Sequence, residues 1–145
     1  MDVAVRLVVI AVVLGVASLA YLWWARRDGQ VQHVHVAGAL TPDDLGAPRG
    51  QHATFVQFST PMCAKCPGTR ALLLRVIEDY PHVSHIEIDA SERLDLARRL
   101  DIMRTPTILV LDADGVVVSR MNGAPTDAQA REAIDEVPPP NEYSI

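Results

Sequence analysis

The sequence predicts a membrane-anchored α/β domain, a mixed sheet flanked by helices and preceded by one N-terminal transmembrane helix. Three observations predict it. A long apolar run opens the chain, β-favouring and amphipathic segments then alternate, and a late hairpin interrupts the alternation. Crossovers through helices require parallel pairing and a hairpin requires antiparallel pairing, so one sheet must contain both. A chain of 145 residues holds one such domain plus an appendage.

The appendage is residues 1–27. From Leu7 to Trp24, "LVVIAVVLGVASLAYLWW", only Gly15 and Ser18 break the apolar run. A helix from Val3 to Trp24 would be about 33 Å long, enough to cross a bilayer core. Tyr21, Trp23 and Trp24 gather at its end, where amphipathic rings favour the headgroup level. A cleaved signal peptide ending at "SLA" is the competing reading. Against it, the run continues past that point and no basic cluster precedes it. The single-pass anchor then places the domain by its basic flank. Arg26 and Arg27 outweigh Arg6, which favours the cytoplasmic side over the extracytoplasmic one.

Residues 28–50 read as a linker with a possible edge strand (Val31, Val34, Val36) and a short helix at "TPDDL", with Thr41 as N-cap and Pro42 in the first turn. Residues 51–137 form the domain. "ATFVQF" (53–58) is a strand, and Leu72, Leu73, Val76, Ile77 and Tyr80 repeat at helical spacing until Pro81. "VSHIEID" alternates with Ile86 and Ile88 on one face, and Ser91 is the expected cap of a helix over "ERLDLARRL". "TILVL" is a buried strand that "DADG" turns into "VVVSR". Thr126 and Gln129 make a capping box for a last helix burying Ala130, Ala133, Ile134 and Val137. Residues 138–145 read as a disordered tail.

The formal net charge is −5, which argues against a nucleic-acid partner. Twelve arginines stand against one lysine, and with abundant Ala, Val and Asp this resembles a high-GC bacterial composition. That lysine, Lys65, lies between the chain's two cysteines in "CAKC".

The expected strand end at Phe58 and helix start near Cys66 place Cys63 on the loop before a helix N-terminus. Free N–H groups and the positive dipole end favour a thiolate there, and Lys65 adds a cation. A lowered pKa supplies more of the attacking species and a better leaving group. Cys66, one turn further in and flanked by Pro67, is the less exposed of the two. That asymmetry suits a nucleophile and a resolving thiol. Two rivals remain. A metal-binding or delivery module would use both thiolates, with His33-x-His35 completing four ligands. A structural disulfide would close only a very short loop, where the constraint on the unfolded chain is smallest.

"FVQFSTPMCAKC" after a strand, "HIEID" in the next, and "IMRTPTILVLDADG" after the second helix together resemble the thioredoxin-like family, in its membrane-anchored bacterial form. The resemblance covers roughly residues 50–137. It implies the thioredoxin fold and thiol–disulfide oxidoreductase activity through a redox-active Cys63–Cys66 disulfide, with no organic or metal cofactor. It also implies that Cys63 attacks, that Cys66 resolves, and that Pro106 is a cis-proline facing the disulfide. The Thr105 backbone is then free to pair with an extended substrate segment. An ordinary trans-proline at a strand start is the alternative for "TPT". The partners implied are protein or small-molecule disulfides, an upstream electron donor or acceptor, and the lipid bilayer through the anchor. A tethered adaptor that binds without turnover is a further reading.

Several positions depart from the family pattern. Met62 replaces the usual Trp, and Ala64-Lys65 replaces Gly-Pro, with a proline displaced to Pro67. Gln57 stands where many thioredoxins bury an Asp that helps deprotonate the resolving thiol, and His85 stands where they carry a lysine. The expectation is that His85, or a water held by Gln57, relays the proton. The bland alternative is His85 as a half-exposed strand residue.

Overall fold

The computed structural model describes residues 2–34 and 38–140. Ten elements follow in order. They are α1 (Val3–Ala25), β1 (Val31–His33), α2 (Pro42–Leu45), β2 (Ala53–Ser59), α3 (Cys66–Ile77), β3 (Val83–Asp89), α4 (Leu94–Arg99), β4 (Thr107–Asp112), β5 (Val117–Asn122) and α5 (Asp127–Asp135). The five strands form one sheet in the order β1-β5-β4-β2-β3. Only β2 and β3 pair in parallel, joined across α3, and the other three pairings are antiparallel.

Strand alternation sorts the core into two layers. Val56 and Phe58 of β2, Ile86 and Ile88 of β3, and Leu109 and Leu111 of β4 face α2 and α4 with Leu45, Leu96 and Leu100. Ala53, Phe55, Val83, Ile108 and Val110 face α3 and α5 with Leu73, Val76, Ala130, Ala133 and Ile134. All of β2 is buried, as befits a central strand covered on both faces. The same parity puts Gln57, Ser59, His85 and Glu87 on the α3 side, where a polar layer ends the apolar core.

Local chemistry sets the element ends. Thr41 and Asp44 form a reciprocal capping box on α2, and Thr126 and Gln129 do the same on α5. The β4–β5 turn requires Gly115, at φ +87°, because a Cβ there would lie 2.3 Å from the Leu40 carbonyl oxygen.

Two expectations need correction. Ser91 does not cap α4, which begins at Leu94 with no side-chain cap. The Ser91 backbone N–H instead donates 2.8 Å to Asp89 Oδ1, so the segment after β3 closes as an Asp-anchored turn before the helix starts. The edge strand is also shorter than Val31–Val36, since β1 stops at His33 and Val34 follows it without strand pairing. Val36 and His35 lie outside the described residues, as do residues 141–145 of the expected tail.

Helix α1 spans 23 residues with none of its side chains buried against the domain. By length and composition it can cross a membrane.

Candidate active site

Cys63 and Cys66 are joined by a disulfide, with their Cα atoms 5.5 Å apart. Cys66 is the first residue of α3 and is only 3 % exposed, whereas Cys63 is half-buried on the preceding loop. That loop is held by its own backbone. The Cys63 N–H donates to the Thr60 carbonyl (3.1 Å) and the Cys66 N–H to the Cys63 carbonyl (3.3 Å). Pro67 falls in the first turn of α3, where a missing N–H costs nothing. Thr69 closes the turn by donating both its backbone N–H and its hydroxyl to the Lys65 carbonyl, at 3.0 Å each.

The loop before β4 meets this loop. The Thr105–Pro106 peptide bond is cis, and the Thr105 hydroxyl lies 3.4 Å from that of Thr60. Met62 is 93 % exposed and Met103 is 84 % exposed, so each loop presents a bare thioether side chain.

Beneath the pair, Gln57 is fully buried and all of its polar atoms are engaged. Its Nε2 donates to the Cys66 carbonyl oxygen and to Ser59 Oγ, both at 3.0 Å. A carbonyl only accepts, so the amide orientation is settled and Oε1 must face His85, 3.0 Å away. His85 Nε2 therefore carries the proton and donates, leaving Nδ1 as the ring's acceptor. Burial pushes the His85 imidazole below its ordinary pKa; the Glu87 carboxylate partly offsets this and the Arg70 guanidinium adds to it.

Glu87 was not among the residues singled out from sequence. The Arg70 guanidinium pairs with it and holds its carboxyl below the usual range, against a smaller opposing effect of burial. It lines a cleft of about 500 Å³ together with Thr60, Cys63, Cys66 and Glu92. The period-2 rule applied to "VSHIEID" already puts residue 87 on the His85 face. Asp28 was missed too, and here the sequence carried no signal. Its Oδ2 accepts from Lys65 Nζ at 3.3 Å and its Oδ1 from Arg104 Nη2 at 2.9 Å. Lys65 thus turns its charge toward Asp28, and the electrostatic setting of Cys63 rests more on the helix terminus than a bare lysine would suggest.

His33 is not brought to the cysteines. It ends β1 at the opposite sheet edge from β3 and lies 3.7 Å from Glu136. Among the described residues, no group of three or more His, Cys, Asp or Glu side chains is arranged to hold a metal ion.

A strand, a loop carrying two cysteines, a helix that buries only the second, and a proline loop against them define a thiol–disulfide oxidoreductase. Comparison with known proteins narrows this. The thioredoxin family profile matches residues 48–136, and the chain belongs to the thioredoxin family. A protein of Brevibacillus choshinensis called disulfide bond formation protein is 33 % identical over 94 residues, covering 63 % of this chain and 79 % of the relative. Mitochondrial thioredoxin-3 of Saccharomyces cerevisiae is 29 % identical over 69 residues, and that match spans 48 % of this chain and 54 % of the yeast protein. The crystal structure of oxidised mitochondrial thioredoxin 3 from Saccharomyces cerevisiae superposes with a TM-score of 0.54. It is 22 % identical and the match covers 60 % of this chain and 80 % of that one, which shows a shared fold.

Proposed function

We propose that this protein is a membrane-tethered thiol–disulfide oxidoreductase in which Cys63 attacks and Cys66 resolves. One observation carries the reading, the unequal exposure of the two cysteines, one on the loop and one at the helix start. In the reduced protein, the Cys63 thiolate, favoured by the N-terminus of α3, attacks one sulfur of a substrate disulfide. The other substrate sulfur leaves as a thiolate. Cys66 then attacks Cys63, releases the second substrate sulfur and restores the bridge. Two electrons pass to the substrate, and an upstream donor returns them in a later cycle. Run backwards, the same steps oxidise a dithiol.

Resolution requires Cys66 to lose its proton, and Gln57 cannot take it. We assign that role to His85 through Nδ1, by way of a water, or to a water that Gln57 orients. Pro106 and Thr105 face the substrate, with the Thr105 backbone pairing with an extended segment. No organic or metal cofactor enters the cycle.

The basic flank at Arg26 and Arg27 favours a domain on the cytoplasmic side, working as a reductase. The Brevibacillus relative's name favours the second reading, an oxidant of secreted proteins on the outer face. A topology reporter fused after Ile145 decides between them.

Cys66→Ser tests the chemistry. Without its resolving thiol, an enzyme accumulates mixed disulfides through Cys63 that reductant releases. An adaptor accumulates none, and stoichiometric metal after anaerobic purification of the unaltered protein would favour the delivery module instead.

A further inference from the structure

We propose that Asp28 fastens the redox site to the exit of the membrane anchor, so that the site faces the bilayer surface and takes disulfides in juxtamembrane segments of integral membrane proteins. The proposal rests on the oxidoreductase reading above and adds the partner class.

Asp28 lies three positions beyond the end of α1. Its two carboxylate oxygens reach both loops of the site. One accepts from Lys65, between the cysteines, and the other from Arg104, next to Thr105. Exposed ion pairs hold weakly when single, but here the backbone is docked as well. The Gly29 N–H donates 2.9 Å to the Asn122 carbonyl. A Cβ on Gly29 would lie 2.6 Å from the Ala124 carbonyl oxygen, so only glycine allows this approach. From the other side, Gly123 sits at φ +99°, and a Cβ there would lie 3.0 Å from Asp28 Cγ.

The anchor supplies the second half of the argument. From Val3 to Tyr21 a helix rises about 27 Å, close to the roughly 30 Å of a hydrocarbon core. Tyr21 and Trp24 therefore lie among the headgroups. These same rings line a cleft of about 220 Å³ with Asp28, Lys65 and Ala124. Lys65, between the cysteines, thus shares a cleft with the aromatic belt, and the domain rests on the membrane with its redox loop on the contact side. A large folded protein has no room to approach there. An extended segment just leaving the bilayer does, and such segments are rich in the apolar and aromatic groups that the bare side chains of Met62 and Met103 accommodate.

The test uses the full chain, reduced, freed of reductant and reconstituted into lipid vesicles. The substrates are single-span peptides whose disulfide-linked thiol reporter sits about 4 or about 24 residues from the bilayer. The expected near-to-far rate ratio is about tenfold, the order given by the −3/2 power fall of effective concentration with tether length. Two variants should lower that ratio toward one: Asp28→Asn, and a Gly-Ser insertion of about 10 residues between Ala25 and Arg26, which adds flexible reach and lifts the site while leaving the Asp28 contacts possible. A ratio near one in the unaltered protein, or faster reaction of the distant reporter, overturns the proposal. Reduction of glutathione disulfide in the same vesicles separates the causes. If it proceeds while the ratio is one, only the juxtamembrane inference falls. If it fails too, the oxidoreductase reading falls and takes this inference with it.

Discussion

Gln57 Nε2 donates a 3.0 Å hydrogen bond to the Cys66 backbone carbonyl, so the central strand holds the start of α3 directly under the redox loop. This contact shows why an amide occupies the position. An ionised carboxylate only accepts, and would oppose both the Cys66 carbonyl and the desolvation of its own charge.

Gln57→Glu therefore puts a carboxyl where it must keep its proton. Its folded pKa rises above the unfolded value of about 4.3. Its fit is retained below that value and is lost as pH rises through the folded pKa. Relative to the unaltered protein, the variant should lose about 1–3 kcal/mol at neutral pH and recover much of it near pH 4. Thermal unfolding of both proteins across that range checks this. A deficit independent of pH contradicts it.

His85→Gln keeps a donor to Gln57 Oε1 and removes the titration. Burial is the main cause of the lowered His85 pKa, with Arg70 adding and Glu87 opposing. A depressed folded pKa means that stability is fully present above about 6.5, the unfolded value. It is lost as pH falls through the folded value. The unaltered protein should lose stability relative to His85→Gln as pH drops below that point. If His85 accepts the Cys66 proton, the variant's pH profile of disulfide reduction also changes. An unchanged profile would remove His85 from the relay and leave it a structural residue.

Asp44→Asn tests a contact far from the redox pair. The Asp44 carboxyl is held at about 2, first by the Thr41 backbone N–H, then by Arg99 and the Thr41 hydroxyl. Its contribution is present above the ordinary carboxylate range, and is lost as pH falls through about 2. The variant should be less stable than the unaltered protein at neutral pH and match it near pH 2. Equal stability at pH 6 would show that the charge on Asp44 and its pair with Arg99 contribute nothing.

Much of the architecture was legible because it is written in short-range pattern. Phe55 and Val56 alternate faces, Thr126 meets Gln129 three residues on, and Gly115 marks a turn that needs left-handed backbone. The placement of the cysteine pair was legible for the same reason, since both thiols and the helix start fall within a few residues. What stayed hidden depends on distant segments meeting. Asp28 joins Lys65 and Arg104 across 37 and 76 positions, and no local pattern announces such a contact. Glu87 lies between, because alternation placed it on the correct face while only the packing of α3 showed its pairing with Arg70. Ser91 misled for a physical reason. Its backbone N–H and its hydroxyl both donate to Asp89, which closes a turn there, and α4 begins only at Leu94, beyond the reach of a cap at Ser91.

The account stands on the inequality of the two sulfurs. It is tested by reducing the full chain and following alkylation of Cys63 and Cys66 separately, by mass, from pH 4 to pH 10. Cys63 should react faster and show a midpoint below the free-cysteine value of about 8.5, while Cys66 lags at every pH. Equal rates at the two positions, both following free cysteine, would contradict the assignment of attacking and resolving thiols.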